Sequence, residues 1–532
     1  MPQIKKICIV GGGSAGWMTA ALLGKKLPKD TEISLVESPK VATVGVGEST
    51  LGHINKYLDM LELKDEDWMK ECNATYKTSI KFTDFRENDG SSFHYPFGTM
   101  LFDHTSNGIM DYFWHQAYND NPYEPSEFAG WALNQTYMTE ENKLYDNADE
   151  EQKIRAFDFH LNTAYHMDAE KFGQYLKNNI AIPEGVKHFF DTVKDVKQDE
   201  AGNIVELIGE EQSYVADLYI DCTGFTKLLI EKIMKTKFIS FDDVLMNDRA
   251  LATRIPYNDK ESEMRSYTDC TAIENGWVWD IPLYHRRGTG YVHSSKFVDW
   301  ETAEQEFKKY LKEKRKLTQE QIDSLTFNKI NIRHGVQDIP WKNNVCAIGL
   351  ALGFIEPLES TGLLTTHENI IRLVTTLTRR DGIVNKIDVD GWNSAARYEL
   401  DNFKQFVSLH YGLSQRRDTP YWRHCTEVVD YIPKPLESLD NTAQDYAYRM
   451  NTRNSLDGDT NDGKYFILAG MGYNPVSKAM AEMEAYRYPG LPSIWQNVMD
   501  RHEKHKQEVL ELCKTLPTHY QYLKEKFYDG KD

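Results

Sequence analysis

The sequence predicts an α/β fold with a doubly wound parallel sheet, followed by a mostly helical C-terminal region. A short strand, a glycine-rich turn and a helix open the chain, and a second apolar strand at residues 345–350 precedes a helix predicted at Thr361–Thr378. Strands that alternate with helices in this way build parallel sheets covered by helices. The C-terminal prediction rests on apolar residues at helical spacing: Leu400, Phe403, Phe406, Val407 and Tyr411.

The first unit has the order of a dinucleotide-binding fold. A strand is predicted at Lys6–Val10, the turn has the sequence GGGSAG, the helix extends to about residue 27, and the next strand covers residues 32–36. Gly11 would form the tight turn, Gly13 would let a pyrophosphate approach the backbone, and Gly16 would permit close helix packing. Glu37 is placed to accept ribose hydroxyls. A purely structural glycine-rich turn is the alternative.

Charge and composition exclude several classes of protein. The 532 residues carry a net charge of −19 and are 40% hydrophobic, and they contain no basic cluster that would follow a phosphate backbone. No apolar run reaches the roughly 18 residues of a membrane span, and no signal-type segment precedes the first strand. Seven scattered cysteines predict reduced thiols and no metal site. We therefore expect a cytoplasmic protein that binds neither nucleic acid nor membranes.

Two later segments favour FAD over NAD as the dinucleotide. Residues 216–224, ADLYIDCTG, resemble the strand and TG turn of FAD-dependent monooxygenases, and residues 344–353 resemble the distal flavin motif that follows it. Small residues after a strand permit the backbone to approach a cofactor. The glycine motif occurs once, without a second nucleotide-binding unit. We therefore expect reduced FAD to come from a separate flavin reductase.

The predicted helix start at residue 361 offers an anion site. Amides near Thr361 and Gly362 would lack hydrogen-bond partners and lie at the positive end of the helix dipole. Plain capping is the alternative. In that case Ser360 or Thr361 caps the helix, and Glu359 is an acidic neighbour favoured by the dipole.

Five motifs together resemble those of one enzyme family: GGGSAGWMTA at the first turn, VGVGEST at residues 44–50, Tyr76-Lys77, GWVWDIP at Gly276–Pro282 and EPLESTG at residues 356–362. From about residue 4 to residue 422 the chain resembles the flavin-dependent halogenases of the tryptophan halogenase group. The WxWxIP pattern, with Trp277 and Trp279, distinguishes that group from related hydroxylases. Alone, the two tryptophans indicate one face of a half-buried strand. The resemblance places them near the flavin, where they would discourage monooxygenation.

The resemblance implies an architecture and an activity. Residues 1–400 would form an FAD-binding domain of the glutathione reductase and p-hydroxybenzoate hydroxylase type with an inserted antiparallel sheet, and residues 401–532 a mainly helical region over the substrate. With reduced FAD (FADH2) and O2, such enzymes oxidise halide to hypohalous acid and halogenate a small electron-rich aromatic of the indole or phenol type. An FAD-dependent aromatic monooxygenase and a catalytically silent FAD-binding protein are the alternatives. A homo-oligomer is compatible with the sequence.

Catalytic roles carry over from the family onto matching positions. Lys77 would hold hypohalous acid or form a haloamine, which needs a neutral amine. Glu359 would polarise the oxidant or take the proton lost by the halogenated intermediate, and Ser360 is a secondary candidate. Without the resemblance, Lys77 would be interpreted as a surface lysine and Lys81 would be an equal candidate.

The resemblance also assigns contacts with halide and cofactor. Thr361 and Gly362 would bind halide, and Leu350 and Leu363 would border the isoalloxazine ring. The other cofactor-binding positions are Gly11, Gly13, Ser14, Ala15, Gly16, Glu37, Val44, Gly45, Val46, Glu48 and Val193.

The match weakens at the substrate positions. Tryptophan halogenases carry His-Pro-Phe near the lysine, whereas this chain has Tyr95 in place of His and keeps Phe97 as a stacking face. Their second aromatic clamp is expected to be missing, because residues 451–463, NTRNSLDGDTNDG, indicate a solvated loop. We therefore predict activity on simple indoles and phenols rather than on free tryptophan, with bromide or iodide favoured over chloride.

Overall fold

The computed structural model describes residues 3–40, 47–98, 109–146, 153–154, 157–427, 460–474 and 476–528. The helices of this part of the chain are α1 Ser14–Lys26, α2 Ile54–Leu61, α3 Asp65–Trp68, α4 Ile109–Tyr118, α5 Glu127–Ala132, α6 Gln135–Glu140, α7 Phe159–Asn162, α8 Ala169–Leu176, α9 Lys260–Glu263, α10 Trp300–Glu313, α11 Gln319–Asp323, α12 Thr361–Thr378, α13 Lys386–Gly412, α14 Pro420–Glu427, α15 Thr460–Gly470, α16 Lys478–Arg487, α17 Leu491–Cys513 and α18 His519–Leu523.

The strands of the same part are β1 Lys6–Val10, β2 Glu32–Glu37, β3 Gly47–Ser49, β4 Thr75–Lys77, β5 Ser79–Thr83, β6 Ser92–Pro96, β7 Ala164–Asp168, β8 Lys187–Phe190, β9 Val193–Gln198, β10 Ile204–Gly209, β11 Ser213–Tyr214, β12 Leu218–Asp221, β13 Phe238–Ser240, β14 Arg249–Ile255, β15 Tyr267–Ile273, β16 Gly276–Pro282, β17 Arg287–His293, β18 Asn328–Asn331, β19 Gly335–Gln337, β20 Trp341–Lys342, β21 Val345–Ala347 and β22 Gly353–Phe354.

A six-stranded sheet forms the base of the fold, in the order β20-β21-β12-β1-β2-β8. All its pairs are parallel except β20 with β21, and the β1 residues Ile7, Cys8 and Ile9 are buried. A strand that is apolar on both faces fits a sheet covered on both sides. The predicted doubly wound sheet is confirmed. One boundary is corrected, because the strand predicted at 345–350 ends at Ala347 and a 3-10 turn, Gly349–Ala351, follows.

A seven-stranded sheet in the order β18-β14-β17-β16-β15-β5-β6 is the inserted sheet. Its pairs are antiparallel apart from β5 with β15. The WxWxIP strand β16 is buried along its whole length, so the prediction of a half-buried strand is wrong. Trp277 and Trp279 pack into the main core, whereas Val278 on the opposite face joins a second core with Phe307 of α10.

The C-terminal region is mostly helical, as predicted, and Leu400, Phe403, Phe406, Val407 and Tyr411 are buried. Its first helix, α13, begins at Lys386, so the division predicted at residue 400 falls inside a continuous helix. The division into two regions stays a prediction. Of the predicted polar loop, residues 451–459 lie outside the described residues, and residues 460–463 belong to α15, not to a loop. In the described segments no helix is both long and apolar enough to cross a membrane.

Candidate functional site

The turns that sequence analysis assigned to the cofactor meet at the carboxyl ends of the parallel strands. Gly11 has a φ of 114°, and a Cβ there would lie 2.3 Å from the carbonyl oxygen of Cys222, which follows β12. A Cβ on Gly349, which follows β21, would lie 2.8 Å from the Cβ of Ala15. Neither position has room for a side chain, so glycine is required for these turns to pack together. The turns therefore line one crevice, at the edge where such sheets bind ligands.

The crevice is open at Gly13, where a pyrophosphate would lie. No neighbouring atom of the described chain lies within 4 Å of the position that a Cβ on Gly13 would take, beside the start of α1 at Ser14. Glu37 ends β2, and its Oε1 lies 2.7 Å from Nε2 of His188. These residues fit FAD, because the helix start would hold the pyrophosphate and Glu37 the ribose.

Two other predicted cofactor positions, Val193 and Glu48, lie on strands of the described chain. Val193 begins β9 directly after Thr192, whose hydroxyl lies 2.8 Å from that of Ser38. Glu48 lies on β3, where desolvation of the half-buried carboxyl raises its pKa to about 7. Three predicted positions lie outside the described residues: Val44, Gly45 and Val46.

A Gly13→Ala variant is expected to bind FAD about tenfold more weakly, because the added methyl group would occupy the space beside the helix start. Titration followed by flavin fluorescence measures this affinity. Gly391→Ala is the matched control, since Gly391 is exposed on α13 and also has open space at its Cβ position. Its affinity should equal that of the parent protein. Unchanged affinity in Gly13→Ala would contradict the assignment of the pyrophosphate site.

The turn Gly349–Ala351 is held by Lys227, a residue that sequence analysis missed. Lys227 has a φ of 48°, and its Nζ donates to the carbonyl oxygen of Leu350 at 2.7 Å and to that of Ala351 at 3.3 Å. Burial lowers its pKa to about 8. Lys227 therefore fixes the backbone of Leu350, one of the two predicted flavin neighbours; the other, Leu363, is buried on α12.

Lys77 ends the short strand β4 and is fully buried. Its Nζ donates hydrogen bonds to the carbonyl oxygen of Thr50 at 2.9 Å and to Oγ of Ser360 at 2.7 Å. The same nitrogen lies 4.8 Å from the ring centre of Phe97. The strand therefore brings the lysine, the serine and a predicted substrate-facing ring together.

Burial also sets the charge of this lysine. It lowers the pKa of Lys77 to about 7, although the charges of Cys270 and Glu359 oppose the shift. The interpretation of Lys77 as a surface lysine is wrong. Lys81, the equal candidate, is partly exposed and pairs with Glu140 at 3.2 Å. Lys77 is thus the buried lysine of the two, and its role as the functional lysine stays a prediction.

Ser360 connects Lys77 to the start of α12. Its φ of 58° lies in the left-handed region, which residues with a side chain seldom adopt. Its Oγ accepts a hydrogen bond from Lys77 and donates one to Oγ of Ser49 at 3.1 Å, and it makes none to the helix amides. The alternative that Ser360 caps the helix is therefore wrong. Thr361 and Gly362 begin α12, and the Cβ position of Gly362 has open space around it.

Glu359 is buried beside a histidine that sequence analysis missed. Its Oε1 lies 2.7 Å from Nε2 of His410 on α13, and both side chains are at most 1% exposed. Its Oε2 has no hydrogen-bond partner within the described part of the chain. Burial raises the pKa of Glu359, and the charges of His410 and Lys77 oppose that shift. Oε1 also lacks hydrogen-bond geometry in the described part of the chain, although it lies close to His410. A buried carboxylate in this state is suited to receive a proton or a polar ligand.

A buried hydrogen bond joins the WxWxIP strand to the EPLESTG segment. Nε1 of Trp277 donates to Oε2 of Glu356 at 3.0 Å, and Nδ2 of Asn247 donates to the same oxygen at 2.9 Å. The Tyr411 hydroxyl on α13 lies 3.0 Å from that Nδ2. Trp277 therefore has a structural partner three residues before Glu359, in addition to its predicted proximity to the flavin.

Aromatic side chains surround Tyr95, the predicted substrate position on β6. Its ring centre lies 6.0 Å from that of Phe97 and 5.9 Å from that of Phe406 on α13. The ring of Phe466 on α15 is 5.6 Å away and tilted by 30°. The absence of a second substrate clamp at residues 451–463 stays a prediction, because residues 451–459 lie outside the described residues. Phe466 lies three residues beyond the segment predicted as a polar loop.

Comparison with known proteins gives the family. The family model described as tryptophan halogenase matches residues 6–485, most of the chain. The chain belongs to the tryptophan halogenase family. This halogenase is 30% identical to tryptophan 7-halogenase RebH of Lentzea aerocolonigenes, over 98% of this chain and 99% of that protein. It is 32% identical to 7-chloro-L-tryptophan 6-halogenase KtzR of Kutzneria sp. (strain 744), over 97% and 98%.

Solved structures agree with this assignment. The apo structure of VirX1 matches the halogenase with a TM-score of 0.89 and 44% identity over 99% of both chains. Tar14, a tryptophan C-6 flavin-dependent halogenase from taromycin biosynthesis, matches with a TM-score of 0.83 and 30% identity over 98% of this chain and 99% of that one. The halogenase is thus a flavin-dependent oxidoreductase that uses FADH2, O2 and halide, a separate flavin reductase and an aromatic substrate.

Proposed function

We propose that this halogenase passes halogen from hypohalous acid to an electron-rich aromatic carbon through Lys77, with Glu359 as the proton acceptor. When bound, reduced FAD would supply the oxidising chemistry that turns halide into hypohalous acid with O2. The observation that carries the proposal is the buried amine of Lys77, hydrogen-bonded to Ser360 and with its pKa lowered to about 7. Roughly half of such an amine is neutral at neutral pH, and the neutral form attacks electrophiles.

Each residue has a role that follows from its position. The open helix start at Thr361 and Gly362 would hold halide with backbone amides. The Lys77 nitrogen takes the halogen from hypohalous acid, forming an N–X bond and releasing water. The aromatic carbon then takes the halogen as the N–X bond breaks, and Glu359 accepts the ring proton and passes it to the Lys77 nitrogen, which restores the neutral amine. Ser360 holds the amine in place through its hydroxyl oxygen.

The proposed substrate is a simple indole or phenol rather than free tryptophan. Tyr95 stands where the family has His, and its ring packs on Phe97, Phe406 and Phe466. A ring covered on several sides offers less surface to an indole, and losing one stacking face costs about 1 kcal/mol of binding. Bromide and iodide, which are oxidised more easily than chloride, are the proposed preferred halides.

One assay tests the proposed function. Purified protein receives FAD, a flavin reductase with its nicotinamide substrate, and chloride, bromide or iodide in separate reactions. Indoles, phenols and free tryptophan are offered as substrates, and products are identified by mass spectrometry. We expect halogenated indoles and phenols, with bromide giving more product than chloride. Efficient, regiospecific chlorination of free tryptophan with a low KM would overturn the substrate proposal.

Halogen transfer should become faster as the pH rises through about 7 and then level off. Burial lowers the pKa of Lys77 to about 7, so the ammonium form dominates below that pH and the reactive amine above it. Product formation is measured from about pH 5.5 to about pH 8.5 at saturating reduced flavin. As the control, hypohalous acid is trapped in reactions without aromatic substrate, which measures the steps before halogen transfer. A transfer rate that falls over this range would contradict the amine as nucleophile.

NADH or NADPH alone should not bleach bound FAD within minutes, because the chain carries one glycine motif for FAD and none for a nicotinamide. Absorbance of the bound flavin is followed under anaerobic conditions, with and without an added flavin reductase. Rapid bleaching without the reductase would reveal a hydride-donor site and contradict the prediction.

We also infer a cytoplasmic location, since all seven cysteines are buried free thiols. We also propose that the protein forms a homo-oligomer, which analytical ultracentrifugation can test by measuring its mass in solution.

A further inference from the structure

A continuous row of hydrogen bonds leads from Lys77 into the protein interior. We call it the hydroxyl row; in order, it contains Lys77, Ser360, Ser49, Thr268, His166 and Thr75. The successive polar atoms are 2.7, 3.1, 2.7, 2.9 and 3.3 Å apart, and Oγ1 of Thr75 then donates to the carbonyl oxygen of Pro282 at 2.6 Å. Every member is at most 7% exposed. Of these six residues, only Lys77 and Ser360 have a role in the proposed halogen transfer.

The fold brings the inner members together by strand pairing. His166 lies on β7, the middle strand of the three-stranded sheet β3-β7-β4. It is directly opposite Ser49 on one side and Thr75 on the other. Thr268 comes from β15 of the inserted sheet and lies between Ser49 and His166. The row therefore joins the strand that carries Lys77, the inserted sheet and the start of α12.

The end of the row determines the direction of every hydrogen bond in it. Thr75 has one hydroxyl hydrogen, which it donates to Pro282, so it must accept from Nδ1–H of His166. A neutral imidazole carries one N–H, so Nε2 of His166 accepts from Thr268. The imidazole is neutral because burial lowers its pKa well below the usual value.

The direction continues outward to the lysine. Thr268 donates to His166, so it accepts from Ser49, and Ser49 in turn accepts from Ser360. Ser360 has then used its only hydrogen and meets Lys77 as an acceptor. A neutral lysine amine has two N–H groups and one lone pair. Its two hydrogens satisfy Thr50 and Ser360, which leaves the lone pair unused.

We propose that His166, Thr268 and Ser49 are positioning residues that keep the Ser360 hydroxyl turned away from Lys77, so that the amine lone pair stays available to hypohalous acid. The inference rests on the proposed function of Lys77. In the step that it supports, the lone pair forms the N–X bond, the O–X bond of hypohalous acid breaks, and the hydroxide released takes a proton from nitrogen to leave as water. Were the row reversed, Ser360 would donate to the lone pair and block this attack. Glu359 and Cys270 also face Lys77, and both favour its charged form.

Thr268→Val tests the proposal with a change of almost constant volume. Without the Thr268 hydroxyl, Ser49 loses its acceptor and can donate to Ser360, which then donates to Lys77. We expect halogenated product per FADH2 oxidised to fall about tenfold, the rate equivalent of one misplaced hydrogen bond. Free hypohalous acid, trapped by a 1,3-diketone, should rise correspondingly because its formation does not use the row. Ser49→Ala interrupts the row at a second point and should give the same result.

Two further variants separate orientation from a general structural effect. Thr268→Ser restores the hydroxyl and should restore product. Thr253→Val removes an equally buried hydroxyl of the inserted sheet, bonded to the carbonyl oxygen of Thr326 at 2.9 Å, and should match the parent enzyme. Parent-level product in both Thr268→Val and Ser49→Ala would overturn the proposal. So would a parallel loss of product and hypohalous acid, or failure of Thr268→Ser to recover. Undiminished product from Lys77→Met would instead overturn the proposed function of Lys77.

Discussion

Lys77→Met should lose at least about 100-fold in halogenation rate while it continues to bind FAD and to form hypohalous acid. Methionine keeps most of the buried volume of the lysine side chain but provides no amine to take up or hold the oxidant. The chain around it should remain folded, because the substitution removes a buried ionisable group rather than adding one. Product is measured by mass spectrometry, and hypohalous acid by a chemical trap in the same reaction.

The matched control is Lys81→Met, four residues away on β5. Lys81 pairs with Glu140 in a partly exposed position, so this variant should halogenate at the parent rate. Near-normal turnover by Lys77→Met would show that hypohalous acid reaches the substrate without the lysine. Loss of turnover by Lys81→Met would contradict the choice of Lys77 over Lys81 as the lysine that carries the chemistry.

Glu359→Gln should reduce halogenation about 100-fold, because an amide has the shape of the carboxylate but cannot accept the ring proton. The buried Oε2, which has no partner in the described chain, is the atom expected to act. Flavin binding should persist, since the crevice residues are untouched. The measurement compares steady-state product formation with the hypohalous acid released, which should increase as transfer fails.

Glu399→Gln is the control for removing a buried carboxylate. Glu399 lies on α13, where burial raises its pKa to about 7 and its Oε2 pairs with Arg372 at 3.1 Å. This variant should keep its halogenation rate even if it is less stable. Equal loss in both variants would indicate that Glu359 contributes to stability rather than to catalysis.

The parallel sheet followed from the sequence because its signals are local. Strand β1, the glycine turn and Glu37 lie within one short segment, and each acts through its own backbone or side-chain geometry. Helix α12 was predicted with both ends correct, since a turn and an apolar period fix them. The inserted sheet was expected only through the family resemblance, because pairings such as that of β5 with β15 join segments far apart in the chain.

The surroundings of the proposed functional side chains depend on contacts that no local sequence pattern contains. The segment around Lys77 gives no sign that the lysine is buried, and only the motif selected it over Lys81. His410 follows the same helical period as Phe403, Phe406 and Val407, but the predicted apolar stripe did not include it. Its pairing with Glu359 exists only because α13 packs over the start of α12.

The aromatic environment of Tyr95 was missed for a related reason. Polar composition at residues 451–463 predicted a loop, but composition does not show where the next helix begins. Helix α15 starts at Thr460 and presents Phe466 to β6. The strand β16 was taken as half-buried because two tryptophans alternate with smaller residues, yet α10 covers the other face.

Helix α13 has a consequence for protein engineering. Near its first turns, Asn393 exchanges two hydrogen bonds with the backbone of Trp341 on β20, and Trp392 packs edge-on against the Trp341 ring. At its far end it carries His410 to Glu359. The continuous helix α13 thus connects the parallel sheet with the residues around Glu359. Chimeras that exchange C-terminal regions between family members should be joined before residue 386. A junction at residue 400 would combine two halves of α13 from different proteins and displace His410 from Glu359.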